Sequence, residues 1–208
     1  MTSKSREERL RRYWDKHSAS YDRQMAFFDR RFFGDTRSWI CGQASGDTLE
    51  VAIGTGLNLP LYPEGVRLTG VEWSPAMLGL ARRRASGLGL RADLHEGDAQ
   101  ALVFPDATFD TVVCTFSLCG IPDHRRAIGE MARVLRPGGL LLLADHVAAS
   151  PWPVRLVQRL LEVVTVPTGG EHFLRRPIRL LPEHGLVVER HDRFKLGIVE
   201  RLAARKPA

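Results

Sequence analysis

Hydrophobic and polar positions follow two alternating patterns between residues 48 and 146. Short runs that are apolar at consecutive positions predict strands buried on both faces. Stretches with apolar residues three and four positions apart predict amphipathic helices between them. The predicted strands are residues 48–53, 67–72, 90–96, 109–116 and 140–144. Such an alternation is typical of an α/β fold, a doubly wound parallel sheet with helices on both faces.

Two helices of this stretch carry start signals in the sequence. Ser74 is a favourable N-cap and is followed by Pro75 at the first helical position. Asp123 can cap a second helix, whose apolar residues recur at helical spacing. The run Arg136-Pro-Gly-Gly139 ends that second helix, because proline and glycine disfavour its continuation.

The pattern changes on both sides of this core. Closing strands with no helix between them suggest that one edge strand of the sheet runs antiparallel. The predicted elements are two N-terminal helices (6–16 and 19–31), two later helices (151–166 and 177–184) and two closing strands (187–191 and 198–203).

Length and composition bound the class of protein. The 208 residues, 44% of them hydrophobic, suffice for one domain with one core. No apolar run reaches the roughly 18–20 residues of a membrane helix, and the charged N-terminus does not resemble a secretory signal. Cys41, Cys114 and Cys119 cannot all pair and lack metal-site spacing, so we expect reduced thiols, no bound metal and a cytoplasmic location.

Charge is distributed unevenly along the chain. Lys and Arg exceed Asp and Glu by ten to six in residues 1–37 and by eleven to six in residues 150–208, whereas residues 38–149 have nine against twelve. The two basic ends could share a surface for nucleic acid, anionic lipid or an acidic substrate. An ordinary solvated surface explains the same distribution, and the scattered arginines argue against a nucleic-acid tail.

A glycine-rich loop and two acidic residues form the candidate ligand site. Gly54 and Gly56 follow the first predicted strand, and Glu72 ends the second. In a doubly wound sheet, ligands bind at the carboxyl ends of the strands, where an acidic side chain can accept hydrogen bonds from both ribose hydroxyls. A merely glycine-rich turn is the alternative, because a single loop of this kind is weak evidence.

The details of the loop favour a cationic nucleoside over a dinucleotide. The dinucleotide fingerprint requires a third glycine where this chain has Leu59, followed by Pro60. Glu50, four residues before Gly54, would repel a pyrophosphate but suits an amine or a sulfonium. An NAD-dependent oxidoreductase is therefore disfavoured, and S-adenosylmethionine is the expected cofactor.

Further segments follow in a consistent order. Asp98 and Ala99 come after the third strand, where a carboxylate and a backbone N–H can bind an adenine. With the glycine loop, Thr115–Cys119 and the run 133–140, they resemble a class I S-adenosylmethionine-dependent methyltransferase of the ubiquinone/menaquinone methyltransferase-like type (methyltransferase domain type 11). Residues 113–119 and 144–147 are also similar to small membrane-associated thiol methyltransferase-like proteins.

This resemblance implies a seven-stranded Rossmann-like sheet, mostly parallel, with an antiparallel last strand. One departure is Ala52, where family members usually have glycine. The Tyr21-Asp22 pair resembles the pair that closes over the cofactor in bacterial phosphatidylethanolamine N-methyltransferases. The expected cofactor-binding residues are Tyr21, Glu50, Ala52, Gly54, Gly56, Asn58, Glu72, Trp73, Ser74, Met77, Asp98, Ala99, Thr115, Phe116 and Ser117.

The resemblance also suggests a division of the chain. We expect a single methyltransferase domain over residues 1–208. Its parts would be an N-terminal helical cover (1–45), a cofactor-binding core (46–149), a helical lid or acceptor region (150–184) and closing strands (185–208).

Methyl transfer is an in-line displacement and needs few catalytic groups. His146 and Tyr21 are the candidate catalytic residues, because an imidazole can accept a proton near neutral pH and a tyrosine can close over the cofactor. Asp145 could orient His146 or point away from it. Glu171 or His172 could act from the lid, and Cys119 is expected in the pocket wall.

The methyl acceptor is not determined by these residues. A small hydrophobic or lipid-like acceptor is expected, whether a thiol, a quinone, a phenol or a phospholipid amine. A nucleic-acid methyltransferase is disfavoured, and a protein that binds the cofactor without catalysis stays an alternative. The helix at 151–166, with Trp152, Arg155 and Arg159, is either a lid packed on the sheet or a surface that contacts membrane or lipid. The oligomeric state is left open.

Overall fold

A computed structural model describes residues 3–208, with side chains from residue 7 onward. Five α-helices surround one sheet, and shorter 3₁₀ segments lie at Leu59–Leu61 and Pro177–His184. The helices are α1 (Ser3–Phe28), α2 (Thr36–Cys41), α3 (Pro75–Gly87), α4 (His124–Val134) and α5 (Trp152–Gly169). The strands are β1 (Asp47–Val51), β2 (Arg67–Glu72), β3 (Ala92–Glu96), β4 (Phe109–Thr115), β5 (Leu135–His146), β6 (Val187–Phe194) and β7 (Val199–Arg205).

The sheet has seven strands in the order β3-β2-β1-β4-β5-β7-β6. β1 to β5 pair in parallel, and β7 pairs antiparallel with both β5 and β6. This confirms the doubly wound fold, seven strands and the antiparallel last strand. The expectation of an antiparallel edge strand is wrong, because β7 lies inside the sheet. Its residues are mostly buried, whereas β6 is largely exposed and forms the edge.

The N-terminal segment also differs from expectation. One continuous helix, α1, replaces the two helices predicted at 6–16 and 19–31, and it passes into a π-helical turn at Asp29–Phe33. The hydroxyls of Ser18 and Ser20 donate hydrogen bonds to the carbonyls of Asp15 and His17. These bonds satisfy the hydroxyls within the helix, so the serines do not interrupt it.

Two of the strand boundaries that differ from the sequence prediction have a clear local cause. β1 ends at Val51 because Ala52 adopts a left-handed conformation with φ 55°. β5 begins at Leu135, since that residue already pairs with Phe109. The run Arg136–Gly139 is thus an irregularity within β5, and regular pairing resumes at Leu140.

The predicted helix caps are present. The Ser74 hydroxyl accepts a hydrogen bond from the Met77 N–H at the start of α3, and the Asp123 carboxylate accepts one from the Arg126 N–H at the start of α4. Both helices therefore begin directly after the carboxyl-end loops. This placement brings the loops that follow β2 and β4 to one edge of the sheet.

Candidate active site

A cavity that is partly open to solvent lies at the carboxyl ends of the central strands. In doubly wound sheets, ligands bind at this edge. A Cβ built on Gly54 would meet no protein atom within 4 Å, so the glycine loop borders open space. The cavity is lined by Trp14, Tyr21, Ala52, Gly54, Val71, Glu72, Trp73, Met77, Gly97, Asp98, Ala99, Gln100, Phe116, Ser117, Cys119, Gly120, Ile121 and Pro122.

Glu72 connects the glycine loop to the end of β2. One carboxylate oxygen accepts a hydrogen bond from the Gly54 N–H at 2.9 Å, and the other accepts one from the Ser74 N–H at 2.8 Å. Burial raises the pKa of the Glu72 carboxyl, against these backbone bonds, which favour the ionised form. A carboxylate offers about four acceptor positions, so Glu72 can accept further hydrogen bonds from a ligand.

The opposite side of the cavity is formed by the loop after β3. Asp98 accepts hydrogen bonds from the Gln100 N–H at 2.8 Å and from the Gln100 side-chain amide at 3.0 Å. Gln100 in turn accepts a bond from the Asp123 N–H, so the loops after β3 and β4 are joined. The apolar side chains of Met77 and Ile121 line the same cavity and suit a purine ring.

Helix α1 covers the cavity. Trp14 and Tyr21 line it and make an edge-to-face contact with ring centroids 6.3 Å apart. Burial raises the pKa of Tyr21 far above neutrality, so its phenol stays protonated and can donate a hydrogen bond but cannot act as a base. Asp15 accepts a hydrogen bond from the Ser74 hydroxyl, which fixes this part of α1 to the start of α3.

Five polar residues form a buried cluster beneath the glycine loop: Arg37, Glu50, Asn58, Tyr62 and Thr115. Glu50 accepts hydrogen bonds from the Asn58 amide and the Tyr62 hydroxyl, both at 2.8 Å. Arg37 donates to Asn58 and to Thr115. Burial raises the pKa of Glu50 to about 7. The side chains of Glu50, Asn58 and Thr115 therefore hydrogen-bond one another within this cluster.

A second group of polar side chains lies behind the cavity wall at Cys119. Asp145 accepts hydrogen bonds from the backbone N–H groups of Cys119, at 3.0 Å, and His146, at 2.8 Å. Burial raises the pKa of Asp145 and of the Cys119 thiol. The thiol therefore stays protonated, which agrees with Cys119 as a wall residue rather than a nucleophile. Asp145 does not hydrogen-bond the imidazole of His146.

His146 ends β5 and packs against Phe173, with ring centroids 4.8 Å apart. Its Nδ1 is buried and has no hydrogen-bond partner among the described residues. Nearby, burial raises the pKa of the Glu171 carboxyl and the imidazole of His146 lowers it. The segment after α5 is tied to the wall, because the His172 N–H donates to the Cys119 carbonyl at 3.0 Å. The His146 imidazole and the carboxyl groups of Asp145 and Glu171 thus lie close together behind the cavity wall at Cys119.

Donor atoms of Cys119, Asp145 and His146 lie within 4.8 Å of one another. Thiolate, carboxylate and imidazole are the ligand types of zinc sites. Within the described part of the chain this is the one such group. The expectation that the protein binds no metal stays a prediction.

Most of the predicted cofactor residues surround the cavity. Those that line it are Tyr21, Ala52, Gly54, Glu72, Trp73, Met77, Asp98, Ala99, Phe116 and Ser117. Those outside the lining are Glu50, Gly56, Asn58, Ser74 and Thr115, and the predicted catalytic residue His146 also lies outside it. Their binding roles stay predictions.

Sequence reasoning missed several lining residues. Trp14 lies seven residues before Tyr21 and hence on the same helical face, so helical spacing could have identified it. Val71, Gln100 and Ile121 carry no such signal. Their position depends on how the loops fold back over the sheet.

Comparison with known proteins shows what the central region of this chain is similar to. Residues 49–143 match the family described as "Methyltransferase domain". An S-adenosylmethionine-dependent methyltransferase of Thermotoga maritima, described as a possible histamine N-methyltransferase, is similar with a TM-score of 0.72 over 94% of this chain and 99% of that chain, at 20% identity. The region from β1 to β5 is therefore similar to a methyltransferase domain. At 20% identity, the similarity to this solved structure shows the fold alone.

Two curated relatives match this chain over shorter stretches. A phosphatidylethanolamine N-methyltransferase of Cereibacter sphaeroides is 43% identical over 118 residues, 56% of this chain and 58% of that protein. A demethylmenaquinone methyltransferase of Thermus thermophilus is 41% identical over 100 residues, 47% of this chain and 46% of that protein. The chain spans about half the length of the curated relatives it matches.

Proposed function

We propose that this protein transfers the methyl group of S-adenosylmethionine to a small acceptor with an apolar body and an amine head group. The observation that carries the proposal is the cavity itself. It has a glycine loop and Glu72 at one end, and a wall backed by Asp145, His146 and Glu171 at the other.

The residues proposed to bind the cofactor have the chemistry that S-adenosylmethionine needs. Glu72 would accept hydrogen bonds from the ribose hydroxyls, and Asp98 would accept one from the adenine amino group. Gly54 borders open space, so its backbone can approach a ligand closely. When bound, S-adenosylmethionine supplies an electrophilic methyl group on a positively charged sulfur. Trp14 and Tyr21 would exclude water from above.

The acceptor end favours an amine. When ionised, the carboxyl groups of Asp145 and Glu171 behind the Cys119 wall would attract a cationic head group and repel an anionic thiolate. The amine must lose a proton before its lone pair attacks the methyl carbon. His146, whose Nδ1 has no hydrogen-bond partner among the described residues, would accept that proton. The name of the 43% identical relative also favours a phospholipid amine.

A quinol is the second candidate acceptor, because several relatives carry the name demethylmenaquinone methyltransferase. Its phenolic hydroxyl would also donate a proton to His146, and its ring would lie against the apolar wall. A pair of assays separates the two candidates. Labelled cofactor is incubated with vesicles that contain phosphatidylethanolamine, or with a demethylated naphthoquinol. Transfer of label to the amine lipid supports the proposal, and transfer only to the quinol contradicts its amine assignment.

Cofactor binding is tested separately with a Glu72→Gln variant. The amide keeps one acceptor oxygen but loses the charge and the paired acceptors, so affinity for S-adenosylhomocysteine should fall by about 1–3 kcal/mol. Titration calorimetry measures this loss. Glu64→Gln, an exposed carboxylate outside the cavity, is the matched control and should bind normally. Unchanged affinity in a folded Glu72→Gln variant would show that the ribose assignment is wrong.

A further inference from the structure

Helix α5 is attached to the protein by its polar residues. The Gln158 side chain is 5% exposed; its oxygen accepts a hydrogen bond from the Ala149 N–H and its amide donates to the Val147 carbonyl. Glu162 accepts a hydrogen bond from the Leu174 N–H at 2.8 Å, and the Thr165 hydroxyl donates to the Glu171 carbonyl at 2.9 Å. These three residues share one face of the helix. That face of α5 therefore contacts the rest of the protein.

Most of the apolar residues of α5 are turned toward solvent. Val163 and Trp152 are each 70% exposed, and Leu160 is 63% exposed. At about 3.6 residues per turn, the exposed apolar residues cover roughly half of the helix circumference. The complete set is Trp152, Leu156, Val157, Leu160, Leu161, Val163 and Val164.

This arrangement is the reverse of an ordinary surface helix, which buries its apolar face. Of the two interpretations left open by the sequence, a lid packed through its apolar face is therefore wrong. Contiguous apolar patches of this kind on monomers mark binding surfaces. Among the described residues, no helix is both long enough and apolar enough to cross a membrane.

We propose that the apolar face of α5 binds the surface of an anionic lipid bilayer, with the helix lying in the membrane plane. Half a circumference is broader than the narrow seam that a partner helix would cover. Charge supports the same occupant: Arg155 and Arg159 are exposed on α5, whereas its one carboxylate, Glu162, is turned inward. Trp152 at the first turn suits the interface between head groups and acyl chains.

The position of α5 connects this surface to the active site. The helix ends at Gly169, and the following segment carries Glu171 and His172. The His172 N–H donates to the carbonyl of Cys119 in the cavity wall. A bilayer that contacts α5 therefore lies beside the acceptor end of the cavity. The surface assignment does not depend on which acceptor is methylated.

Vesicle binding tests the proposal with the full chain and no cofactor. We expect the protein to sediment with vesicles of phosphatidylcholine and phosphatidylglycerol, and more weakly with phosphatidylcholine alone. A variant with Leu156→Gln, Leu160→Gln and Val163→Gln should lose at least about tenfold in the partition coefficient, because three exposed apolar side chains no longer enter the lipid.

A matched control has Leu88→Gln, Leu90→Gln and Val103→Gln, which are exposed apolar residues outside α5. Its binding should stay within about twofold of the unchanged protein. Tryptophan emission should shift to shorter wavelength with vesicles, and a Trp152→Phe variant should lose that shift. No binding of the unchanged protein, or equal binding of the α5 variant, would overturn the proposal. So would light scattering that shows a dimer which the α5 variant dissociates.

These measurements are independent of methyl transfer. Calorimetry with S-adenosylhomocysteine on the α5 variant should give normal affinity, since none of its substituted residues lines the cavity. Failure of vesicle binding with normal cofactor affinity would refute the membrane surface alone. Failure of cofactor binding in the unchanged protein would refute the proposed function alone.

Discussion

Ala52 occupies a backbone conformation that suits glycine. Its φ of 55° lies in the left-handed region, where a Cβ costs about 1–2 kcal/mol. Ala52 directly follows β1 and lines the cavity. The rest of the fold therefore holds the loop in this strained conformation. Glycine would remove the strain but would gain flexibility in the unfolded chain.

We therefore expect Ala52→Gly to raise the free energy of unfolding by about 0.5–1 kcal/mol. Urea denaturation monitored by circular dichroism measures the change. Ala81→Gly, in the buried part of α3, is the control and should destabilise instead, because glycine is unfavourable within a helix. A less stable Ala52→Gly variant would contradict the strain argument.

Glu50 should make stability depend on pH. Its pKa of about 7 in the folded protein lies above the ordinary carboxyl value of 4.5, because the group is buried. The folded state then binds more protons than the unfolded state between those values, so stability falls as pH rises through this window.

In a Glu50→Gln variant this fall should be absent. The amide can donate to Tyr62 and accept from Asn58, which preserves both contacts. Relative to the unchanged protein, the variant should gain on the order of 2–3 kcal/mol at pH 8 compared with pH 5. Urea unfolding at both pH values measures this gain, with Glu64→Gln as the exposed control. Parallel pH profiles for the unchanged protein and Glu50→Gln would refute the assignment.

At the scale of elements, α5 should respond to substitutions differently from a helix that buries its apolar face. Its buried residue Gln158 is polar, and its side chain hydrogen-bonds the N–H of Ala149 and the carbonyl of Val147. Gln158→Leu leaves both groups buried without partners. It should lower the free energy of unfolding by about 2–3 kcal/mol.

The opposite face of the same helix supplies the comparison. Leu160→Gln should change stability by no more than about 0.5 kcal/mol in solution, since Leu160 is mostly exposed. Thermal denaturation of both variants, without lipid, measures the contrast. If Leu160→Gln proved the more destabilising of the two, the orientation of α5 would be wrong.

The limits of sequence prediction are visible at this scale. Caps and strands of the core were predictable, because Ser74, Asp123 and the apolar runs act locally. The apolar spacing within residues 151–166 correctly indicated a helix, but not which face it buries. That choice depends on Gln158 meeting backbone groups at Val147 and Ala149, which periodicity does not encode. The position of β7 was equally hidden, since it is set by pairing with β5.

For the whole molecule, the cover formed by α1 is held to the core by a few polar contacts. Asp22 accepts hydrogen bonds from the Thr55 hydroxyl and the Arg84 guanidinium. Tyr21 and Trp14 on the same helix line the cavity. Cofactor affinity should therefore depend on Asp22, although that residue does not line the cavity.

We expect Asp22→Asn to weaken S-adenosylhomocysteine binding by about threefold to tenfold, because the partly exposed ion pair with Arg84 contributes on the order of 1 kcal/mol. Calorimetry gives the affinity, and hydrogen exchange should report faster exchange in α1. Asp93→Asn, an exposed carboxylate on β3, is the control. Normal affinity together with faster exchange in α1 would show that the cover does not contribute to binding.

The cofactor half of the site was more predictable than the acceptor half. Gly54, Glu72 and Asp98 follow or end successive strands, so the topology alone brings them together. His146 and Glu171 were both named as candidates from the sequence. Their proximity was not predictable, because it requires the segment after α5 to fold back onto Cys119. The geometry of the acceptor half is determined by contacts between distant segments, which local sequence patterns do not encode.

The interior position of β7 has a consequence for how the protein is made. β7 is synthesised after every other strand, yet Leu202 pairs with Leu143 in the middle of the sheet. Until it emerges from the ribosome, β5 presents an open apolar edge to the crowded cell. Before β7 pairs with it, the exposed edge of β5 in the nascent chain can bind chaperones or aggregate with other chains.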